Sequence, residues 1–280
     1  MAFSRVLVAL GCAVLLASAQ VARAETYNKT FALEMAYMAA AAYCSKEAVL
    51  DWNCEACGST RPFNTTMYLY DEDKNTAGFV GYYLDVEPLT AVVSFRGTIP
   101  SSLKDWIDDL NFIKKDYPLC DGCEVHEGFW ESYTSLRNTA LEALDRLQPT
   151  NVLVTGHSLG AAMAVFAAVD IKYKGYNVAA EYTFGQPRVG DSTFATAYDT
   201  SLGPDVSYRV VHYRDIVPHL PPEIAGFHHD ATEVWYQENN IQYQVCNGSG
   251  EDPDCSDSLD FPDSIDDHLH YMGIPISRDC

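Results

Sequence analysis

The sequence predicts an α/β fold, with a central mostly parallel (mixed) sheet flanked by helices on both faces. Two observations carry this. From about residue 152 to 213 apolar strand-like runs alternate with helix-like runs, the pattern of strands buried on both faces and joined by crossover helices. The pentapeptide Gly156-His157-Ser158-Leu159-Gly160 sits where one of those strands gives way to a helix. Composition permits the core that such a fold needs. Of 280 residues, 48% are hydrophobic and 20% charged, too apolar for a disordered chain.

The elements follow in order. Residues 1–24 stand apart: Arg5 precedes a run from Val6 to Ala19 without charge, and Ala22-Arg23-Ala24 has the small-x-small form of a cleavage site. A secretory signal peptide ending at Ala24 is expected. Its apolar run is short of the roughly 20 residues of a membrane span, and no second such run follows. Residues 25–280 contain no linker or repeat and read as one domain. Helical spacing covers 31–43, strand-like runs occupy 67–70, 78–84 and 90–95, and helical spacing returns over 129–147, stopping before Pro149. Then come VLVT (152–155), a long apolar helix over 159–173, EYTF (181–184), a helix near 192–200 and YRVVHY (208–213).

Charge and cysteines narrow the function classes. With 18 basic against 39 acidic side chains the formal net charge is −21, which excludes a nucleic-acid binder, since phosphate backbones need a basic face. Setting aside Cys12 in the leader leaves an even set: Cys44, Cys54, Cys57, Cys120, Cys123, Cys246, Cys255 and Cys280. In an exported chain an even set reads as disulfides. Cys54/Cys57 and Cys120/Cys123 have C-x-x-C spacing, yet they lie much further apart than the roughly 15–20 residues of a zinc ribbon. Neither opens a helix after a strand, as a thioredoxin-like pair would. Two short disulfide loops and no metal are expected. Sequons at Asn28, Asn64 and Asn247 fit export.

The chemistry centres on Ser158. Gly-x-Ser-x-Gly between a strand and a helix is a nucleophile elbow, whose glycines allow a turn too tight for side chains. A hydroxyl becomes a nucleophile only when a base takes its proton and an acid fixes that base's tautomer. In a strand-to-helix elbow of this kind the chain order is Ser, Asp or Glu, His. Asp215 directly follows the strand 208–213, at the carboxyl edge of the sheet; a plain loop cap in Arg214-Asp215-Ile216 is the alternative. For the base, Asp267-His268-Leu269-His270-Tyr271 offers two histidines, while His212, His219, His228 and His229 read as surface or structural.

Taken together, VSFRGT (93–98), the segment Ser101 to Phe112, GHSLG, YTFGQPRVGD (182–191), RDIVPHLPP (214–222), the pair Cys246 and Cys255, and DHLHYMGI (267–274) closely resemble the secreted triacylglycerol lipases of filamentous fungi, the class 3 lipases. The resemblance covers nearly the whole chain after the leader. It implies an α/β-hydrolase-like fold, Ser158 as nucleophile, Asp215 as acid and, by matching D-H-L-x-Y-x-G, His268 rather than His270 as base. It also implies the pairs Cys44–Cys280, Cys54–Cys57 and Cys246–Cys255, leaving Cys120 with Cys123. The implied oxyanion donors are Thr98, by amide and hydroxyl, and the amide of Leu159. No cofactor is implied. The implied partner is a triglyceride or other ester at a lipid–water interface, with a monomer as the default state.

One segment separates this reading from its neighbours. In SSLKDWIDDLNF (101–112), Leu103, Trp106, Ile107 and Leu110 fall at i, i+3, i+4 and i+7, an amphipathic helix beside Thr98. The resemblance implies a lid that turns this face to lipid; periodicity alone equally fits a surface helix packed on the core. Thr98 in place of a common serine, Ala161 in place of a frequent glycine, and CDGCEVH (120–126) resemble instead the feruloyl esterases of the same superfamily, which makes a soluble carboxylesterase the alternative. A non-catalytic secreted binding protein would be marked by a missing triad member, and none is missing.

Overall fold

The computed structural model describes residues 27–203 and 205–277. The expected leader, its cleavage after Ala24, and Cys280 lie outside the described residues. The chain opens with α1 (Lys29–Ala41), capped by the Asn28 side chain, which accepts from the Phe31 amide at 3.0 Å. A short α2 (Lys46–Leu50) follows, then β1 (Phe63–Asp71), β2 (Thr76–Tyr83) and β3 (Thr90–Phe95). After α3 (Pro100–Asp108) comes a small hairpin, β4 (Lys114–Asp116) with β5 (Glu124–His126), leading into α4 (Glu127–Leu147). The alternating part is β6 (Asn151–His157), α5 (Leu159–Tyr173), β7 (Asn177–Phe184), α6 (Ser192–Leu202) and β8 (Ser207–His212). β9 (Glu233–Tyr236), β10 (Tyr243–Val245), α7 (Ile265–His268) and the ribbon of β11 (His270–Tyr271) and β12 (Ile274–Pro275) complete it.

One eight-stranded sheet runs in the order β1-β2-β3-β6-β7-β8-β9-β10. Its centre, β3 through β9, is parallel, and antiparallel pairs close both edges. The centre is parallel because α4, α5 and α6 carry the chain back between successive strands. α5 is apolar on all sides and buried from Gly160 to Ala168, as a helix enclosed by other layers must be. Phe129, Tyr133, Phe166 and Phe194 fill that face of the sheet. On the other face α1 packs Met35 and Met38 in a cluster with Phe184, Val210 and Tyr271. Ser94 and Thr155 reach up from the sheet to the Met38 and Met35 carbonyls.

Three boundaries differ from the sequence reading for physical reasons. The first strand begins at Phe63 rather than 67, since its alternating burial starts there. The strand read as 208–213 stops at His212, because Tyr213 has φ +37° and turns the chain out of the sheet. The helix read as 101–112 ends at Asp108 although its apolar spacing continues. Beyond it, tertiary bonds claim the backbone: His126 Nε2 donates to the Asn111 carbonyl at 2.6 Å and the Glu127 amide to the Ile113 carbonyl at 2.9 Å. Disulfides join Cys54–Cys57, Cys120–Cys123 and Cys246–Cys255; Cys44 is also disulfide-bonded.

Candidate active site

The elbow is built where β6, flanked by β3 and β7, meets α5. Ser158 has φ +61° and ψ −128°, a strained conformation for a residue with a side chain. Two glycines make room for it. A Cβ on Gly156 would lie 2.2 Å from the Gly160 carbonyl oxygen, and one on Gly160 would lie 2.2 Å from that of Phe95. The turn is tied down by the Ser158 amide, which donates to the Phe184 carbonyl at 2.9 Å, and by the Ser158 carbonyl, which accepts from Ala161 at 2.9 Å. Ser158 is fully buried, and its Oγ has no hydrogen-bond partner.

Asp215 stands three residues beyond the end of β8 and is fully buried. Its carboxylate accepts from His268 Nδ1–H, at 2.8 Å to Oδ2 and 3.0 Å to Oδ1, from the Val217 amide at 2.8 Å, and from the Tyr271 hydroxyl. One carboxylate thus both caps the turn after β8 and faces His268. His268 closes the single turn of α7, which the Ser264 hydroxyl caps by accepting from the Asp267 amide at 2.9 Å. A ring nitrogen facing a carboxylate carries the proton, so Nε2 of neutral His268 is bare. That Nε2 is buried and has no partner. His270, by contrast, is exposed and turned to the Asp266 carbonyl at 3.0 Å.

Ser158 is linked to His268 through His157. The two imidazoles lie tilted by 33° with centroids 4.4 Å apart, and His157 Nε2 donates to the His268 carbonyl at 2.8 Å. Tyr43, just beyond α1, donates its hydroxyl to His157 Nδ1 at 2.7 Å. Burial, then the neighbouring His268, holds His157 well below the usual histidine range, which keeps it neutral. Tyr271 is pushed far up by burial and by Asp215, so it stays a donor. Sequence reasoning missed Tyr43, His157 and Tyr271. The last two lie inside motifs already singled out, His157 at a position that any residue could occupy and Tyr271 at a fixed position whose role the motif does not reveal. Tyr43 is far from those motifs in sequence and had no local signal.

Thr98 lies on the segment leaving β3 and is half-buried. This segment presses on the elbow, since a Cβ on Gly97 would meet Ser158 Cβ at 2.9 Å. Leu159 is the first residue of α5, where backbone amides have no partner within the helix. Of the expected lid residues, Leu103 is buried, and Trp106, Ile107 and Leu110 are half-buried. Trp106 stacks on Phe129 at 6.2 Å, and it and Leu110 pack on the main core cluster. Two groups have metal-like spacing among the described residues. Glu233 lies beside Cys246 and Cys255, whose sulfurs are bonded to each other; Glu223, Glu251 and Asp257 surround Arg188, which supplies the countercharge. The hydroxyl, the bare imidazole nitrogen and the buried carboxylate are the parts required for acyl transfer through a covalent intermediate.

Comparison with known proteins gives the same direction. A family model for lipase (class 3) matches residues 92–225. A lipase of Rhizomucor miehei is 39% identical over 239 residues, covering 80% of this chain and 62% of its own length. Lipase II from Rhizopus niveus superposes with a TM-score of 0.81 at 32% identity, over 89% of this chain and 96% of that one. A triacylglycerol lipase whose catalytic centre is a serine protease triad gives 0.79 at 34%, over 89% and 95%. The chain spans about three fifths of the length of the curated relatives it matches.

Proposed function

The chain belongs to the class 3 lipase family, and from that premise we propose that it is a secreted serine hydrolase of carboxylic esters, acting on triacylglycerols at a lipid–water interface. One observation carries the reading: Asp215 holds the Nδ1 proton of His268, leaving a bare Nε2 and an unpartnered Ser158 hydroxyl in the same buried region. Ser158 attacks the ester carbonyl as His268 Nε2 takes its proton. The amides of Thr98 and Leu159, with the Thr98 hydroxyl, meet the oxyanion. His268 returns the proton to the departing alcohol, and water then releases the acid from the acyl-enzyme.

A buried nucleophile needs an opening step. α3 is suited to it, because it starts two residues after Thr98, carries its apolar side inward, and turns Lys104, Asp105 and Asp108 outward. Fully burying an apolar side chain of this size stabilises by about 1.5–3 kcal/mol, so the buried Leu103 and the half-buried Trp106, Ile107 and Leu110 hold the lid shut in water, and an oil surface offers them an equal partner. Thr98 and the Cys120–Cys123 loop favour a second reading, a feruloyl or other soluble esterase. A triglyceride emulsion, a dissolved short-chain ester and a feruloyl ester, assayed on one sample, separate the two.

The test of the site is covalent. A phosphonate ester should add its mass to the peptide containing Ser158, and Ser158→Ala should abolish both label and turnover. His268→Ala should lose several powers of ten in turnover while His270→Ala keeps most of it. Label on another serine, or the opposite behaviour of the two histidines, rejects the assignment.

A further inference from the structure

α7 is a single turn, and the ribbon after it pairs two residues with two, too little local structure to fix a side chain by itself. Two buried histidines from elsewhere in the sheet grip it. His157 ends β6 and His212 ends β8. His157 Nε2–H donates to the His268 carbonyl at 2.8 Å, and His212 Nδ1–H donates to the Asp267 carbonyl at 3.0 Å. The two acceptors are consecutive in the chain.

The far nitrogen of each ring is also held. The Tyr43 hydroxyl, itself accepting from the Gly97 amide, donates to His157 Nδ1 at 2.7 Å. His212 Nε2 lies 2.9 Å from the Asn240 side-chain amide nitrogen and 3.4 Å from the Glu238 carbonyl. A nitrogen that accepts carries no proton, so His157 is the neutral Nε2–H tautomer, and on His212 the Asp267 carbonyl requires a proton on Nδ1. Arg214 adds a third tie, its amide donating to Asp267 Oδ2 at 3.2 Å.

We propose that His157 and His212 are paired positioning residues for His268, clamping the backbone of the general base at two consecutive carbonyls. Asp215 sets the ring's rotation and tautomer; the clamp sets where the ring is anchored. The proposal rests on His268 being the base. It assigns His212, which the sequence reading took as surface or structural, a part in the reaction through another residue.

The tautomers are read by imidazole nitrogen NMR on the full-length protein. His157 should show a protonated Nε2 and bare Nδ1, and His212 a protonated Nδ1. On a dissolved short-chain ester, His157→Leu and His212→Leu should lower kcat roughly 10- to 100-fold, the scale of a small misplacement of a catalytic group, with KM changed by less than about twofold. His157→Gln and His212→Asn place an amide nitrogen where Nε2 and Nδ1 stood and should recover most of that loss. A bare Nδ1 on His212, folded Leu variants with full kcat, or amide variants no better than Leu would each overturn the clamp. If a Leu variant fails to fold, the wild-type tautomers still decide. An active His268→Ala enzyme would reject the base itself, whereas an inactive one beside fully active Leu variants rejects only the clamp.

Discussion

A rise in pH from acid to neutral should destabilise this protein at one identifiable place. Asp199 on α6, Asp230 ahead of β9 and Glu233 on β9 are gathered near one guanidinium, Arg209 on β8, which bonds Glu233 at 3.4 Å and the Asp230 carbonyl at 2.9 Å, and Glu181 on β7 feels the charge of Asp230. Burial, then the charge of Asp230, pushes Glu181 well above the carboxylate range and Asp199 up to about 7. Burial also raises Asp230 and Glu233 against the pull of Arg209. Each folded value lies above its unfolded one. The stabilisation is therefore complete below the unfolded values near 4 and is lost as pH rises through the folded ones. For Asp199 the window is pH 4 to about 7. Taken whole, a rise from 3.8 to about 7 corresponds to about 4 kcal/mol; Asp199 is only half-buried, and solvent screening reduces that to about 2 kcal/mol. At about 2–4 °C per kcal/mol for a domain of this size, the melting temperature should fall by about 4–8 °C across that window through Asp199 alone. Asp199→Asn preserves the acceptor that binds the Ala231 amide at 3.0 Å and removes the titration. Calorimetric melting of both proteins from pH 4 to 8 should show the variant losing less stability than the wild type. Parallel curves would refute the reasoning.

Asp215→Asn should lower kcat by about 10³–10⁴-fold, because an amide cannot hold His268 in the Nδ1–H tautomer; a smaller loss on a dissolved ester would remove Asp215 from the role. Tyr271→Phe strips one donor from a buried carboxylate and should cost about 1.5–3 kcal/mol of stability in denaturant melts, while phosphonate labelling of Ser158 persists. Thiol titration of the denatured, unreduced protein should find no free cysteine; a stoichiometric thiol would contradict four disulfides. Activity on a short-chain triglyceride should rise steeply past its solubility limit, and Trp106→Ala should blunt that rise more than it slows hydrolysis of the dissolved ester. Simple saturation, with both substrates affected equally, would reject α3 as a lid.

What could be read in the sequence depended on how local its cause was. The alternation of β6, α5, β7, α6 and β8 was legible because apolar runs and helical spacing are written in neighbouring residues, and α5 matches its expected span, 159–173. The elbow was legible because two glycines and a serine within five residues are needed for one turn. The end of α3 was not. Its apolar spacing runs on to Leu110, but bonds to the Asn111 and Ile113 carbonyls come from residues 126 and 127, and no window around α3 contains them.

The same limit explains the histidines. Taken alone, each of His157, His212 and His268 is a residue with two nitrogens and an undetermined proton, and what it does is set by the group each nitrogen faces. For His268 a motif narrowed the choice, since the carboxylate it faces has to follow a strand and precede it in the chain. For His157 and His212 the deciding partners are a hydroxyl from beyond α1 and an amide from the β9–β10 connection, neither of which any spacing rule would have paired with them. Once those partners are known, His157 is fixed as the Nε2–H tautomer, and the bonds from both rings to the backbone before and at His268 gain a direction. Proton placement, more than residue identity, is what the fold adds here: it leaves Nε2 of His268 as the one bare nitrogen among these three rings that has no donor on it, which is where a proton taken from Ser158 would have to go.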